Sequence, residues 1–126
     1  MKKIKLTILT ILISTLSFAQ SKKAKENLVV DGVCKMCKKR IEKVCLKTKG
    51  VKSASWSVET HNLSLIIDQT KVQLDEIKSN IAKAGHDTAD VKASDESYAL
   101  LAPCCKYRDP EVVNNHKEWI FYKNLK

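Results

Sequence analysis

The fold is decided by residues 28–37, which read Leu-Val-Val-Asp-Gly-Val-Cys-Lys-Met-Cys. The apolar run at the start predicts a short strand, and Asp31-Gly32 predicts the turn that ends it. Cys34 and Cys37 then open a stretch whose residues favour helix. Two thiols at this spacing can close on one soft metal ion or on each other, so the motif indicates metal binding or thiol redox chemistry.

The chain beyond the motif alternates helical and extended patterns. The predicted elements are a strand at 28–30, a helix from 36 or 37 to 49, a hairpin with strands at 51–58 and 63–68, a helix at 73–84 and a strand at 88–93. This order predicts an α+β fold, the ferredoxin-like βαββαβ sandwich, in which a four-stranded antiparallel sheet carries two helices on one face.

The N-terminus has the pattern of a bacterial secretory signal peptide. A lysine-rich start is followed by an apolar run at residues 6–18, and Ala19 precedes the expected cleavage point. We therefore predict a signal peptide at residues 1–19 and export to the periplasm or the medium. The apolar run is shorter than the roughly 20 residues that a membrane-spanning helix needs, so an uncleaved anchor is the less favoured alternative.

The mature chain is predicted to hold a disordered leader at 20–26, one domain at 27–93 and a C-terminal extension at 94–126. The net charge of the whole chain is +9. Its lysines are spread out instead of alternating with aromatic residues, which argues against nucleic-acid binding. A solvated basic surface is favoured over a docking face for an acidic partner. After residue 107 no clear hydrophobic period is present.

Residues 27–93 resemble the heavy-metal-associated domain, the fold of copper chaperones, of metal-binding modules in copper-transporting ATPases and of periplasmic mercury-binding proteins. The resemblance is carried by Val30-Asp31-Gly32, Cys34-x-x-Cys37, Ile41-Glu42, Gly50-Val51, Asp68 and Ala84-Gly85-His86-Asp87. The common family loop is Gly-Met-x-Cys-x-x-Cys, and here only Val33 separates Gly32 from Cys34. We expect Met36 to fill the space of the missing buried methionine.

Cys34 and Cys37 are the predicted metal ligands. A helix N-terminus stabilises thiolates, and the neighbouring lysines add to the effect. Two soft ligands favour Cu(I), because Zn(II) in a structural site takes four ligands; Hg(II), Zn(II) and Cd(II) are the alternatives. A two-ligand site leaves the ion open to attack by a third thiolate. The ion could thus pass to a metal-transporting membrane protein or another thiol-bearing acceptor.

Three histidines are further candidates. The resemblance places His86 near the metal, where it is either a third ligand, a hydrogen-bond partner of a ligand, or a surface histidine that follows a helix-capping glycine. His61, in the hairpin turn, and His116, in the tail, are predicted to be solvated.

The other cysteines divide into one core residue and one adjacent pair. Cys45 falls on the inward face of the first helix and is predicted to pack there as a small hydrophobe. Cys104 and Cys105 cannot readily bond to each other, since neighbouring Cα atoms lie near 3.8 Å and a disulfide asks for about 4.4–6.8 Å. They either supply auxiliary thiolates, joining the Cys34 site if the tail folds back over it, or form disulfides elsewhere, or pack as free thiols.

The leading functional hypothesis is an exported Cu(I) chaperone or scavenger without catalytic activity. The alternatives are a periplasmic mercuric-ion-binding protein, a thiol–disulfide oxidoreductase and an interaction module with a structural disulfide. A thioredoxin-like enzyme would carry a proline beside its active site, but both prolines, Pro103 and Pro110, lie in the tail.

Overall fold

The computed structural model of the protein describes residues 22–124, so the predicted signal peptide lies outside it. The elements, in chain order, are β1 (Lys23–Val29), α1 (Lys35–Lys47), β2 (Val51–Trp56), β3 (Asn62–Asp68), α2 (Leu74–Lys83), α3 (Asp95–Ala99), a single 3-10 turn (Pro103–Cys105) and α4 (Pro110–Asn124). The predicted α+β architecture of an antiparallel sheet with helices is confirmed. Within the described residues, no helix is long and apolar enough to cross a membrane.

The sheet places β3 between β1 and β2, and both pairings are antiparallel. Alternate residues of β3 are buried, as the period of a strand requires. Their side chains join one core cluster with the inward faces of α1 and α2. The largest members are Ile41, Trp56, Leu63, Leu65, Ile67, Ile77 and Ile81. This core holds α1 against the sheet and so fixes the position at which α1 begins.

The first strand is longer than its sequence pattern indicated. β1 runs from Lys23 to Val29, and it pairs with β3 over the whole length from Lys23↔Asp68 to Val29↔Asn62. The prediction of a disordered leader is therefore wrong for residues 23–26. Three of these four residues are charged, but β3 offers a complete edge for hydrogen bonding, and alternate β1 side chains are exposed.

The predicted fourth strand at 88–93 is wrong. Thr88 makes only an isolated bridge with Val30, and three strands make up the sheet in the described part of the chain. Backbone and side-chain groups of Thr88 bond to the backbone of Val91, and the Ala93 N–H donates to the Asp87 carboxylate at 2.7 Å. These local hydrogen bonds turn the chain away from the sheet edge before a ladder can form.

The helix predictions hold within a few residues, except in the tail. α3 starts after Ser94, whose hydroxyl accepts a hydrogen bond from the Ser97 N–H at 3.1 Å, as its capping pattern predicted. Residues 110–124 form a helix that the missing hydrophobic period did not indicate. Its start is set by Pro110 and by the Asp109 carboxylate, which accepts from the Glu111 N–H at 2.9 Å.

Candidate metal centre

The Cys34–Cys37 pair lies where α1 begins. Cys34 is the residue before the helix, with extended backbone and a partly exposed side chain, whereas Cys37 lies in the first turn and is completely buried. Their Sγ atoms are 3.5 Å apart. The first turn carries no acidic residue, so the positive end of the helix dipole meets the two sulfurs without competition from a carboxylate.

An indole supports the loop that precedes the cysteines. Trp56 is fully buried, and its Nε1 donates to the carbonyls of Val30 at 3.0 Å and His61 at 3.1 Å. A Cβ atom on Gly32 would lie 2.9 Å from the Trp56 ring and 3.0 Å from the Cys37 Cβ, so the loop needs glycine there. The expectation that Met36 is buried in this space is wrong, because its side chain is 50% exposed.

Residues 94–109 bring a second pair of thiols to the first, and we call this segment the C-terminal arm. The Sγ atom of Cys105 lies 3.6 Å from that of Cys34 and 4.0 Å from that of Cys104. The three sulfurs of Cys34, Cys104 and Cys105 all lie within 4.8 Å of one another. The arm thus folds back over the CxxC loop, which is one of the alternatives that the sequence left open.

Tyr107 and Arg108 anchor the arm beside the thiols. The Tyr107 hydroxyl donates to the Gly85 carbonyl at 2.8 Å and accepts from the Asp87 N–H at 3.0 Å. The Tyr107 ring stacks on His86, with ring centroids 5.5 Å apart. Arg108 donates two hydrogen bonds to the Asp87 carboxylate, at 2.8 and 3.1 Å. Sequence reasoning missed these contacts; the only signal was a polar aromatic and a cation directly after the cysteine pair.

The thiols differ in acidity. Burial acts to raise the pKa of Cys34, but hydrogen bonds from the Cys37 N–H and from the neighbouring thiols outweigh it and hold that pKa below its ordinary value. Burial raises the pKa of Cys37. Burial and the nearby Cys37 sulfur raise the pKa of Cys105 strongly. Of Cys34, Cys37 and Cys105, Cys34 is thus the thiol best prepared to act as a thiolate before metal arrives.

This ranking predicts the order of alkylation in the metal-free, reduced protein. At neutral pH Cys34 should react with iodoacetamide about tenfold or more faster than Cys37 and Cys105, since its lower pKa leaves a larger thiolate fraction and its side chain is partly exposed. Peptide mass spectrometry over a time course measures the rates. Equal rates at these three sites would contradict the prediction.

Cys45 is buried in the core at 0% exposure, as predicted, and burial raises its pKa to about 12. It lies on α1 two turns beyond Cys37 and outside the group of three sulfurs. Cys45 is as fully buried as Cys37 and Cys105 but takes no part in that group. Cys45→Ser is therefore the matched control for substitutions at the other cysteines.

The histidines lie outside the group of sulfurs. His86 is fully buried, its Nδ1 is 2.8 Å from the Asp31 carbonyl oxygen, and burial lowers its pKa. Within residues 22–124 its Nε2 has no hydrogen-bond partner, and a role for His86 as a ligand stays a prediction. His61 stacks on Trp56, and the His116 Nδ1 lies 2.8 Å from the Val112 carbonyl oxygen. Both are partly buried instead of freely solvated.

The Asp87–Arg108 pair makes the docking of the arm depend on pH. Burial alone would raise the pKa of Asp87, but the hydrogen bonds from Arg108 and Ala93 hold it below its ordinary value. A carboxylate with a lowered pKa contributes stability above its unfolded pKa of about 3.9, and this stability is lost as the pH falls through the folded value.

Asp87→Asn should therefore lower the free energy of unfolding by about 1–2 kcal/mol at pH 7, given that Arg108 is partly exposed. Urea denaturation at several pH values measures the difference between the variant and the wild type. We expect this difference to shrink as the pH falls below about 3.9 and through the lower pKa of Asp87 in the folded protein, because the wild-type side chain then becomes neutral as well. A difference that is the same at pH 7 and pH 2 would contradict the role of the ion pair.

The fold and the thiol loop define a small α+β domain built to bind a metal ion, and the chain belongs to the heavy-metal-associated domain family. The profile of that family matches residues 28–87. The arm lies beyond this match, so its two cysteines are an addition to the family domain.

Solved structures similar to this one come from metal-handling proteins. The CopZ metallochaperone is 31% identical; the match covers 52% of this chain and all of CopZ, with a TM-score of 0.51. A copper-binding domain from HMA7, a P-type ATPase, is 26% identical and matches 51% of this chain and 88% of its own, with a TM-score of 0.50.

A third similar structure is the water-soluble region of the P-type ATPase CopA from Bacillus subtilis. It is 27% identical, and the match covers 55% of this chain and 46% of that region, with a TM-score of 0.51. A comparison with curated protein sequences gives no significant match.

Proposed function

We propose that this protein is an exported Cu(I)-binding protein that holds the ion between Cys34 and Cys37 and passes it on by thiolate exchange. The observation that carries the proposal is the pair of sulfurs, 3.5 Å apart at the start of α1, in a domain of the heavy-metal-associated family. The protein is a carrier or scavenger and not an enzyme.

The chemistry of the donors supports Cu(I). The residues that approach the Cys34 sulfur are thiols, and soft sulfur ligands select Cu(I) over harder ions. Copper is also the metal named for the similar domain of the P-type ATPase HMA7.

The unequal exposure of the two thiols supports transfer. Cys37 is buried and holds its side of the ion in a fixed position, whereas Cys34 is partly exposed and can be approached by an incoming thiolate. Ligand exchange then moves the ion without release into water. A membrane transporter of metal ions fits this role as acceptor, since similar domains occur within P-type ATPases.

An anaerobic titration of the reduced, exported chain with Cu(I), in competition with a Cu(I)-selective chelator, tests the proposal. We expect tight binding. Cys37→Ser should weaken the ion held by the Cys34–Cys37 pair by about a hundredfold or more, and the control Cys45→Ser should leave it unchanged. Parallel titrations with Zn(II) and Hg(II) compare the metals. Copper binding that is insensitive to Cys37→Ser, or efficient reduction of insulin disulfides by the protein, would overturn it.

Export rests on the signal-peptide pattern of residues 1–19. Expression with the native N-terminus, followed by cell fractionation and mass spectrometry, should place the protein outside the cytoplasm with Gln20 as its first residue. A cytoplasmic protein that retains Met1 to Ala19 would remove export from the proposal.

A further inference from the structure

We propose that Cys34, Cys104 and Cys105 form a second soft-metal position, which shares the Cys34 thiolate with the Cys34–Cys37 pair and binds a second Cu(I) ion. This inference deepens the proposed function and rests on it. It concerns the C-terminal arm, which lies beyond the part of the chain that the family profile matches.

The distances between the sulfurs fit one ion. Thiolates bound to a metal at about 2.3 Å cannot lie more than about 4.6 Å from each other. The Cys34–Cys105 and Cys104–Cys105 separations are 3.6 and 4.0 Å, and all three sulfurs lie within 4.8 Å of one another. Only small side-chain movements are therefore needed to bind an ion. Cys37 is not one of these three sulfurs but lies beside Cys34 and Cys105, so the two positions are adjacent and share Cys34.

The turn that carries the arm cysteines presents both thiols without allowing them to bond to each other. Pro103–Cys105 form a single 3-10 turn, fixed by a 2.8 Å hydrogen bond from the Cys105 N–H to the Ala102 carbonyl. Both thiols are free, with Cys105 buried and Cys104 partly exposed. Adjacent cysteines are poorly placed for a mutual disulfide but can bind one ion together.

A thioether extends the group on its outer side. The Cys104 thiol donates to the Met36 Sδ atom at 3.5 Å, and the Met36 side chain is half exposed although it is apolar. Thioether sulfur is a soft donor that selects Cu(I). Met36 and Cys104 thus provide two sulfur atoms at the surface through which an incoming ion can reach the buried Cys105.

The arm holds its cysteines in place independently of metal. Tyr107 and Arg108 follow Cys105 closely and bind Gly85 and Asp87, as described above. These contacts involve no sulfur atom. The second position is therefore built by the fold, and metal binding does not need to order a free tail.

The binding step balances without electron transfer. Each thiol that becomes a ligand releases one proton, and Cu(I) keeps its oxidation state. Four thiolates, from Cys34, Cys37, Cys104 and Cys105, with two Cu⁺ ions carry two net negative charges, which the N-terminus of α1 favours. Cys34 bridges the two ions.

The copper content of the reduced, exported chain tests this inference. The protein is loaded anaerobically with excess Cu(I) and desalted, and copper per chain is measured by mass spectrometry. We expect two Cu(I) ions in the wild type and in Cys45→Ser, and one in the double variant Cys104→Ser/Cys105→Ser. Met36→Leu, which keeps the size of the side chain, should weaken the second ion about tenfold.

The outcomes separate the two proposals. One ion in both the wild type and the double variant would overturn the second position and leave the proposed function intact, whereas no tightly bound copper in the wild type would overturn the proposed function. One ion in the wild type that the double variant binds more weakly indicates a single site with arm ligands, and this also overturns the second position.

Circular dichroism of the metal-free variants shows whether they fold. X-ray absorption of the loaded wild type should contain copper–copper scattering.

Discussion

Cys34→Ser should weaken the binding of both Cu(I) ions by about a hundredfold or more, and it should do so without destabilising the fold. The Cys34 sulfur belongs to both proposed positions. It lies 3.5 Å from the Cys37 sulfur in the first and 3.6 Å from the Cys105 sulfur in the second. A serine hydroxyl is a hard donor and does not replace a thiolate for Cu(I).

The stability of the metal-free Cys34→Ser variant should rise by about 0.5–1 kcal/mol, because Cys34 occupies the N-cap position of α1, where serine is a preferred residue. The cysteine makes no capping hydrogen bond there. The opposite effect is expected for Cys37→Ser, which places a hydroxyl at a fully buried site and should cost about 1–3 kcal/mol.

Chelator competition and urea denaturation of both variants measure affinity and stability separately. Cys45→Ser provides the control, since it buries a hydroxyl in the same helix but touches no ligand. We expect it to lose stability and keep both ions. If Cys34→Ser keeps one ion at wild-type affinity, Cys34 does not bridge the two positions.

The sequence predicted α1, the hairpin and α2 correctly, because each of these elements buries one face. Its buried residues therefore recur in the sequence at the period of a helix or of a strand. β1 was underestimated at residues 23–27, because a polar strand is stabilised here by pairing with β3, about 40 residues later, and not by its own pattern. The fourth strand failed for a related reason. The side chains of Asp87 and Thr88 take up backbone groups that a strand would use, and residue type alone does not reveal this competition.

The metal centre likewise has a part that the sequence predicted and a part that only the structure shows. Cys34 and Cys37 could be identified from the sequence, since the spacing and the helix start are local features. The approach of Cys105 to Cys34 links residues 71 positions apart, and it depends on the Tyr107 and Arg108 contacts. The sequence therefore predicted the chemistry of the arm cysteines but not their position. Met36 was misplaced because Trp56, on another strand, occupies the space beneath the loop.

Gly85→Ala should displace the C-terminal arm and remove the second Cu(I) ion while the Cys34–Cys37 ion stays bound. Gly85 has a φ angle of +97°, which costs an alanine about 1–3 kcal/mol. The new Cβ would also lie 2.8 Å from the Ser97 carbonyl oxygen and 2.9 Å from the Leu101 side chain. Because one of these atoms belongs to the backbone, relief of the clash requires α3 and the following turn to move.

Gly50→Ala supplies the matched control. Gly50 has a similar φ of +103°, and its Cβ would lie 2.8 Å from a Val72 side-chain atom, but its close neighbours are not in the arm. Both variants should therefore lose similar stability in urea, whereas only Gly85→Ala should fall from two copper ions per chain to one. Equal copper content in both variants would mean that contact with Gly85 does not set the position of Cys104 and Cys105. A loss of both ions in Gly85→Ala would instead show that the arm is needed to hold copper at the CxxC pair itself.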